Sequence, residues 1–219
     1  MEFTLNQTGI LEGSIVLPWN GSWVLDCMLD SDPQLVAGNP FSMLVDSQTQ
    51  LIGETFRCLN VAGRIRFVGT AVGTALLNKP LVPLWMQSVS KFSVASQLLT
   101  QSGNPNPAVL GSPDITLESV CLWPGFTARK WFANNYQTFR YDPSSIPQLD
   151  PIDVPVQTDH QLQDLHASSL TAQWGFAQSN PQNFWLLPGM LVGGSYRVTS
   201  SQLSIDNAPR IVTRLEPAT

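Results

Sequence analysis

From Trp23 to Asp30 the odd positions Trp23, Leu25, Cys27 and Leu29 are all apolar, while the even positions hold Val24, Asp26, Met28 and Asp30. A period of two fits a strand with one face in a core, and it fits no helix. Just before it, "SIVLPWNGSW" at Ser14–Trp23 places Asn20-Gly21 between two runs of β-formers. Asn-Gly tolerates the positive φ angles of a type I′ turn, so a two-residue hairpin is expected, with Trp19 opposite Ser22 and Pro18 opposite Trp23. Pro18 has no amide hydrogen, so its side of the strand is expected to be a free edge near the tip or to be covered by something that needs no donor.

Further strands are expected at 41–45, 51–61 and, after a turn at Ala62-Gly63, at 64–72, where Arg64 and Arg66 alternate with Ile65 and Phe67. Several short strands within the first ~75 residues indicate a small antiparallel barrel or sandwich. The pattern then changes. Ser88–Gln101 carries Val89, Phe92, Ala95, Leu98 and Leu99 at helical spacing, with Gly103 as the stop. Thr127–Phe139 reads as a second helix, although Trp131, Phe132 and Tyr136 would also suit a strand. Asp142–Asp159 is dense in Pro and Asp, has no Lys or Arg, and reads as an extended surface strap that buries little. Asp159 is placed to cap a short helix carrying Leu162, Leu165 and Leu170. Strand-like pieces return at 184–187, 190–192, 196–198 and 210–215, with a turn at Pro188-Gly189. The expected fold is mainly β, with two small antiparallel barrel-like units and a short helical segment between them. The expected division is an N-terminal β-barrel at 1–87, a helical and loop segment at 88–139, the Pro/Asp-rich strap at 140–160 and a second, smaller β-unit at 161–219.

Charged residues make up only 12% of the 219, about half the usual share of a soluble domain. A surface so poor in charge is weakly protected against association, so the chain is expected to work inside an assembly. A net charge of −5 and the absence of a basic stripe argue against nucleic acid as a partner. No apolar run reaches membrane-span length and no signal-like opening is read, so the expectation is a soluble chain, not exported and with no membrane partner. Cys27, Cys58 and Cys121 are far apart without C-x-x-C spacing, and read as thiols packed as small hydrophobes. Asn6-Gln7-Thr8 and Asn20-Gly21-Ser22 fit the glycosylation pattern as chance matches.

Groups for catalysis are sparse. His160 and His166 are six apart and cannot share a helix face, so a zinc site from one helix is excluded. Asp159, His160, Asp164 and His166 would make a mixed metal site only on irregular backbone; the preferred reading is solvated side chains and no metal or other cofactor. No nucleophile elbow, phosphate loop or H-E-x-x-H is present. Asp142, Asp150 and Asp153 offer carboxylates for a hydrolase acting through 142–164, against the plainer reading of surface acids. The seven tryptophans suit either a sugar-stacking face, at Trp19 or Trp85, or packing and subunit contacts. Packing and contacts are preferred, with Trp19, Trp85 and Trp131 as candidate assembly residues.

The stretch "EGSIVLPWNGSWVLDCMLD" followed by "FSMLVDSQTQLIGETFRCLNVAGRIRFVG" resembles the N-terminal barrel of tailed-phage baseplate hub proteins, with Leu17-Pro18, Gly21, Trp23, Asp26, Leu51, Gly53 and Arg57 at the matching places. "LLTQSG" at Leu98–Gly103 and "FWLLPGMLVGG" at Phe184–Gly194 are similar too, although the second lacks the Asp usual in that turn and the chain is shorter than most hubs. The resemblance implies a non-enzymatic structural protein of the virion, assembled in the host bacterial cytoplasm. It implies a homotrimer whose two barrel-like units per chain form a pseudo-sixfold ring. That ring would adapt the tail tube to the central spike, with tube, spike and other baseplate proteins as partners. A carbohydrate-binding module and a hydrolase remain as alternatives.

Overall fold

A computed structural model of the chain describes residues 3–45, 50–105, 117–136, 138–149, 154–155, 164–166, 171–175, 187–192, 196–206 and 210–217. Six strands close on themselves: β1 (Thr4–Leu5), β2 (Thr8–Pro18), β3 (Val24–Leu29), β4 (Pro40–Leu44), β5 (Gln50–Val61) and β6 (Arg64–Thr70). Their order is β1-β4-β5-β6-β3-β2, and β1 pairs with β2 to complete the barrel. Nearly every inward side chain is odd-numbered: Leu5, Ile15, Leu17, Trp23, Leu25, Leu29, Phe41, Met43, Leu51 and Phe67 are all buried. Phe41 is the hinge of the aromatic cluster, edge-on to Trp23 at 6.1 Å and to Phe67 at 5.0 Å. Gly53 and Gly69 make room for these rings. A Cβ at Gly53 would lie 2.4 Å from the Trp23 ring and 2.5 Å from the Thr70 carbonyl oxygen.

The expected hairpin register is off by one residue. Val16 pairs with Val24 and Ile15 with Leu25, a register that carries Leu17 opposite Trp23. A two-residue turn at Asn20-Gly21 would set each odd residue of β2 against an even residue of β3, and a one-residue slip moves a whole apolar set to the wrong face. The barrel keeps both odd sets inside and opens the turn instead. Pro18 also does not border a free edge: it sits opposite Ser200 at the end of a strand ladder. The tight two-residue hairpin is at Ala62-Gly63, where φ is +52° and +81° and Val61 faces Arg64.

After the barrel, β7 (Leu84–Ser90) pairs with β8 (Leu117–Leu122), and α1 (Lys91–Ser102) leaves directly from β7. Ser90 caps α1 by accepting from the Ser93 amide at 3.1 Å, and Gly103 ends it. The expected helix starts three residues late because Ser88 and Val89 still belong to β7. Helix α2 (Ala128–Asn135), capped by Thr127, ends four residues before the expected Phe139, which belongs to a strand.

The segment expected to be an exposed strap is in part a buried hairpin. β9 (Phe139–Tyr141) pairs with β10 (Pro147–Leu149), and Tyr141, Ser145 and Leu149 are buried. Its polar backbone is taken up by the barrel. The Trp23 indole N–H donates to the Asp142 carbonyl at 3.0 Å, Ile52 N–H to Pro143 O at 2.9 Å, and Val72 N–H to Ser145 Oγ at 2.9 Å. Gly21 N–H donates to Phe139 O at 2.6 Å, and Phe139 N–H to Asn20 Oδ1 at 2.9 Å. The Asn-Gly loop, opened by the barrel register, thus holds this hairpin.

The C-terminal strands are β11 (Val154–Pro155), β12 (Asp164–His166), β13 (Thr171–Gly175), β14 (Met190–Val192), β15 (Tyr196–Ile205) and β16 (Arg210–Pro217). They extend the barrel sheet in the order β2-β15-β16-β13-β12, with β14 on β15 and β11 parallel to β14, a twelve-stranded sheet in all. Of the short helix expected after Asp159, the described residues 164–166 instead form β12, antiparallel to β13; the rest of that stretch lies outside the described residues. Strand β2 joins the two parts. It pairs with β1 at Thr8–Gly9, with β15 from Gly13 to Pro18 and with β3 from Ile10 to Val16.

Two substitutions check these features in chemical denaturation. Gly53→Ala is expected to lower stability by about 2–3 kcal/mol, because neither an indole nor a backbone carbonyl can yield to the added methyl. Ala62→Asn is expected to raise it by about 0.5–1 kcal/mol, because Asn accepts the left-handed conformation that Ala adopts at a cost.

Candidate assembly surfaces

The three nominated tryptophans have different surroundings. Trp131 is 4% exposed, packed against Phe132 and Tyr136 at 5.6 and 5.7 Å, and offers no surface. Trp19 is half-buried with two guanidinium groups over its ring, Arg140 at 5.3 Å and Arg197 at 5.7 Å. Arg140 is itself buried and donates to Gln148 Oε1 at 3.0 Å and to the Pro188 carbonyl. Trp19 thus clamps the β9–β10 hairpin against the turn that enters β14, a packing role. Trp85 is 70% exposed.

Trp85 lies opposite Cys121 in the β7–β8 pair. The next outward residue of β8's face is Trp123, 74% exposed, and Leu117 at its start is 65% exposed. The inward residues Leu84, Met86, Val89, Val120 and Leu122 pack on the core. Both faces of this small sheet are therefore apolar, which is why the stretch 117–122 gives no clear alternation in the sequence and why Trp123 escapes it.

A second apolar surface arises on β5. Between Thr55 and Arg57 the register with β6 shifts by one residue, a β-bulge at Phe56. Phe56 is exposed, and beyond it the parity reverses: Leu59 and Val61 are exposed, and Cys58 turns partly inward. Together with the loop after β3 this strand forms a shallow depression of about 410 Å³ lined by Leu35, Val36, Cys58, Leu59 and Ile65, with Asp32, Gln34 and Asn60 around it. A similar shallow hollow of about 410 Å³ at Thr4, Asn6, Ser42 and Gln50 is mainly polar.

Among the described residues, reacting groups do not converge: no three of His, Cys, Asp and Glu could hold a metal, and no helix is long and apolar enough to cross a membrane. Asp142 serves its own turn: Oδ1 accepts the Ile146 amide at 2.7 Å, and burial pushes its carboxyl up against the pull of the Ile146 and Ser144 amides. Asp150, Asp153, Asp159 and His160 lie outside the described residues, and so do the side chains of Asp164 and His166. Asp26 forms a two-bond pair with Arg66 at 2.9 and 2.6 Å, which holds its carboxyl below the usual range. The thiols differ from one another. Cys27 is a core cysteine, Cys58 is half-buried and Cys121 is exposed, so the reading as packed hydrophobes holds fully only for Cys27.

No protein-family model matches this chain, and no curated protein is similar to it in sequence. Solved structures are similar in fold along its whole length. A tail protein from Neisseria meningitidis MC58 superposes with a TM-score of 0.68 at 10% identity, covering 99% of this chain and 96% of its own. The 43 kDa tail protein of prophage MuSo2 from Shewanella oneidensis gives 0.68 at 8% identity, over 98% and 97% of the two chains. The chain has the fold of these tail proteins. An E. coli component of the type VI secretion system, described as structurally similar to the T4 bacteriophage tail proteins gp27 and gp5, gives 0.65 at 10% identity over 100% of this chain and 77% of its own.

The thiol environments predict graded reactivity. With an aromatic disulfide reagent near pH 8, Cys121 is expected to label at once and Cys27 only on unfolding, because burial pushes the Cys27 thiol up to about 12. The unfolded thiol titrates near 9.0, so the unfolded chain binds fewer protons between that value and about 12. Stability is then fully present below pH 9 and falls as pH rises through this window, by up to about 1.4 kcal/mol per pH unit for one group. Comparing Cys27→Ala with the parent in denaturant melts across this window checks the slope, which is expected to be shallower in the variant.

Proposed function

We propose that this chain is a structural, non-enzymatic component of a phage-type tail, a baseplate hub that assembles as a homotrimer. Its two strand-built parts per chain would alternate around the axis as a pseudo-sixfold ring and adapt the tail tube to the central spike. The observation that carries the reading is the sheet continuity at β2. One strand closes the six-stranded barrel through β1 and carries the extension of the same sheet through β15, and the fold is similar over nearly the whole of this chain to those of three tail and secretion-system proteins. Rigid coupling of two β-units through one backbone suits a ring that must keep its shape under load, since their relative movement would break main-chain hydrogen bonds. The exposed Trp face and the low charge supply what such a ring needs at its contacts. Residence in the virion tail and assembly in the host bacterial cytoplasm follow from the same reading.

Light scattering on the purified chain is expected to give three times the 24.0 kDa monomer mass. Co-expression with the tail-tube and spike proteins of the same genome is expected to yield a complex that survives size exclusion. A chain that joins neither protein counts against the hub role.

A further inference from the structure

The chain bears two apolar surfaces of opposite shape. One is raised: Trp85 and Trp123 stand out together at one end of the β7–β8 sheet, while Leu117 is exposed at its other end. The other is the hollow between the loop after β3 and the bulged end of β5, lined by Leu35, Val36, Cys58, Leu59 and Ile65. The two indoles present roughly 300 Å² of apolar surface. That is already the size of a large patch on a soluble monomer, and under half of what each partner buries in a standard interface. The hollow, at about 410 Å³, is large enough to admit an indole. A buried indole also needs an acceptor for its N–H, and Asp32 and Asn60 at the hollow's rim supply acceptor oxygens.

We infer that the Trp85/Trp123 face of one copy seats in the Leu35–Leu59 hollow of the next copy, a head-to-tail contact that closes the ring. This rests on the trimeric reading above and names its contact. A knob and a hollow at different places on one chain meet either reciprocally, about a two-fold axis that passes between them, or head-to-tail by another rotation. The trimeric reading selects the second arrangement, which closes as a ring. A second copy is the occupant because one chain supplies both halves, matched in shape and in donor and acceptor sense. Exposed Trp at the centre of such a patch is also where binding energy concentrates.

The test uses two variants at exposed positions, each checked for an intact fold by circular dichroism. The knob variant is Trp85→Ala with Trp123→Ala; the hollow variant is Val36→Arg with Leu59→Arg. Each alone is expected to run as a 24.0 kDa monomer under conditions where the parent is a trimer. Mixed in equal amounts they are expected to form a heterodimer of twice that mass, because one intact knob still meets one intact hollow. As a second measurement, Val36→Cys in a Cys58→Ser background is expected to give cross-linked trimers with a short bismaleimide through the natural Cys121. Folded variants that stay trimeric overturn this contact and leave the hub reading standing, as do cross-links between Cys121 residues only. A parent chain that remains a monomer at every concentration, yet enters a tube and spike complex as one copy per complex, overturns the contact and the trimer together.

Discussion

The fold depends on one constraint, that every strand of a closed barrel must turn its whole apolar set inward at once, and in this chain those sets fall on odd positions. From Leu5 to Phe67 the buried side chains fall almost entirely on odd positions, and the pairings of β1 with β4, β4 with β5 and β3 with β6 all join odd residues to odd residues. A closed sheet has no loose edge along which one strand could slip alone. The Asn20-Gly21 loop gives way to this requirement: its local preference for a tight turn is worth less than keeping Ile15, Leu17, Trp23 and Leu25 in one core. The opened loop then becomes a docking site for the β9–β10 hairpin, through Gly21 and Asn20.

The same rule explains where the barrel departs from it. At Phe56 a single extra residue reverses the parity of β5, sending Leu59 and Val61 to solvent. The apolar hollow thus comes from a register event, which the composition of β5 does not show. A comparable shift between Val198 and Ser200 lets Val198 and then Ser201, Leu203 and Ile205 point into the core from the sheet's C-terminal extension. Bulges at such places bend the strand and end regular pairing, and they sit here where the barrel stops and its outer surfaces begin.

Trp23 shows how the parts are joined. Its ring fills the barrel beside Phe41, in space left by Gly53, while its N–H reaches the Asp142 carbonyl and so ties a hairpin far away in sequence to the barrel mouth. Trp19 does the same farther out, with the Arg140 and Arg197 guanidinium groups over its ring. These two tryptophans organise the interior joints, whereas Trp85 and Trp123 face outward. Residue type alone does not separate the two roles, because both an interior joint and a contact face need a broad apolar ring with one donor.

The alternation at 23–30, 41–45 and 51–55 and the helical spacing up to Leu99 suffice to specify strands, a helix and the inward residues, since both periods are local properties of backbone geometry. The low charge implies a chain that works inside an assembly, and the resemblance at Leu17–Asp26 and Leu51–Arg57 implies a tail protein's β-fold. Only the tertiary structure decided the register at Asn20-Gly21, the burial of 141–149, the bulge at Phe56 and the difference between Trp19, Trp85, Trp123 and Trp131. The physical reason is that these depend on which distant backbone groups and rings compete for the same space. Pairings such as β2 with β15 and Trp23 with Asp142 span more than a hundred residues, and no local pattern carries them.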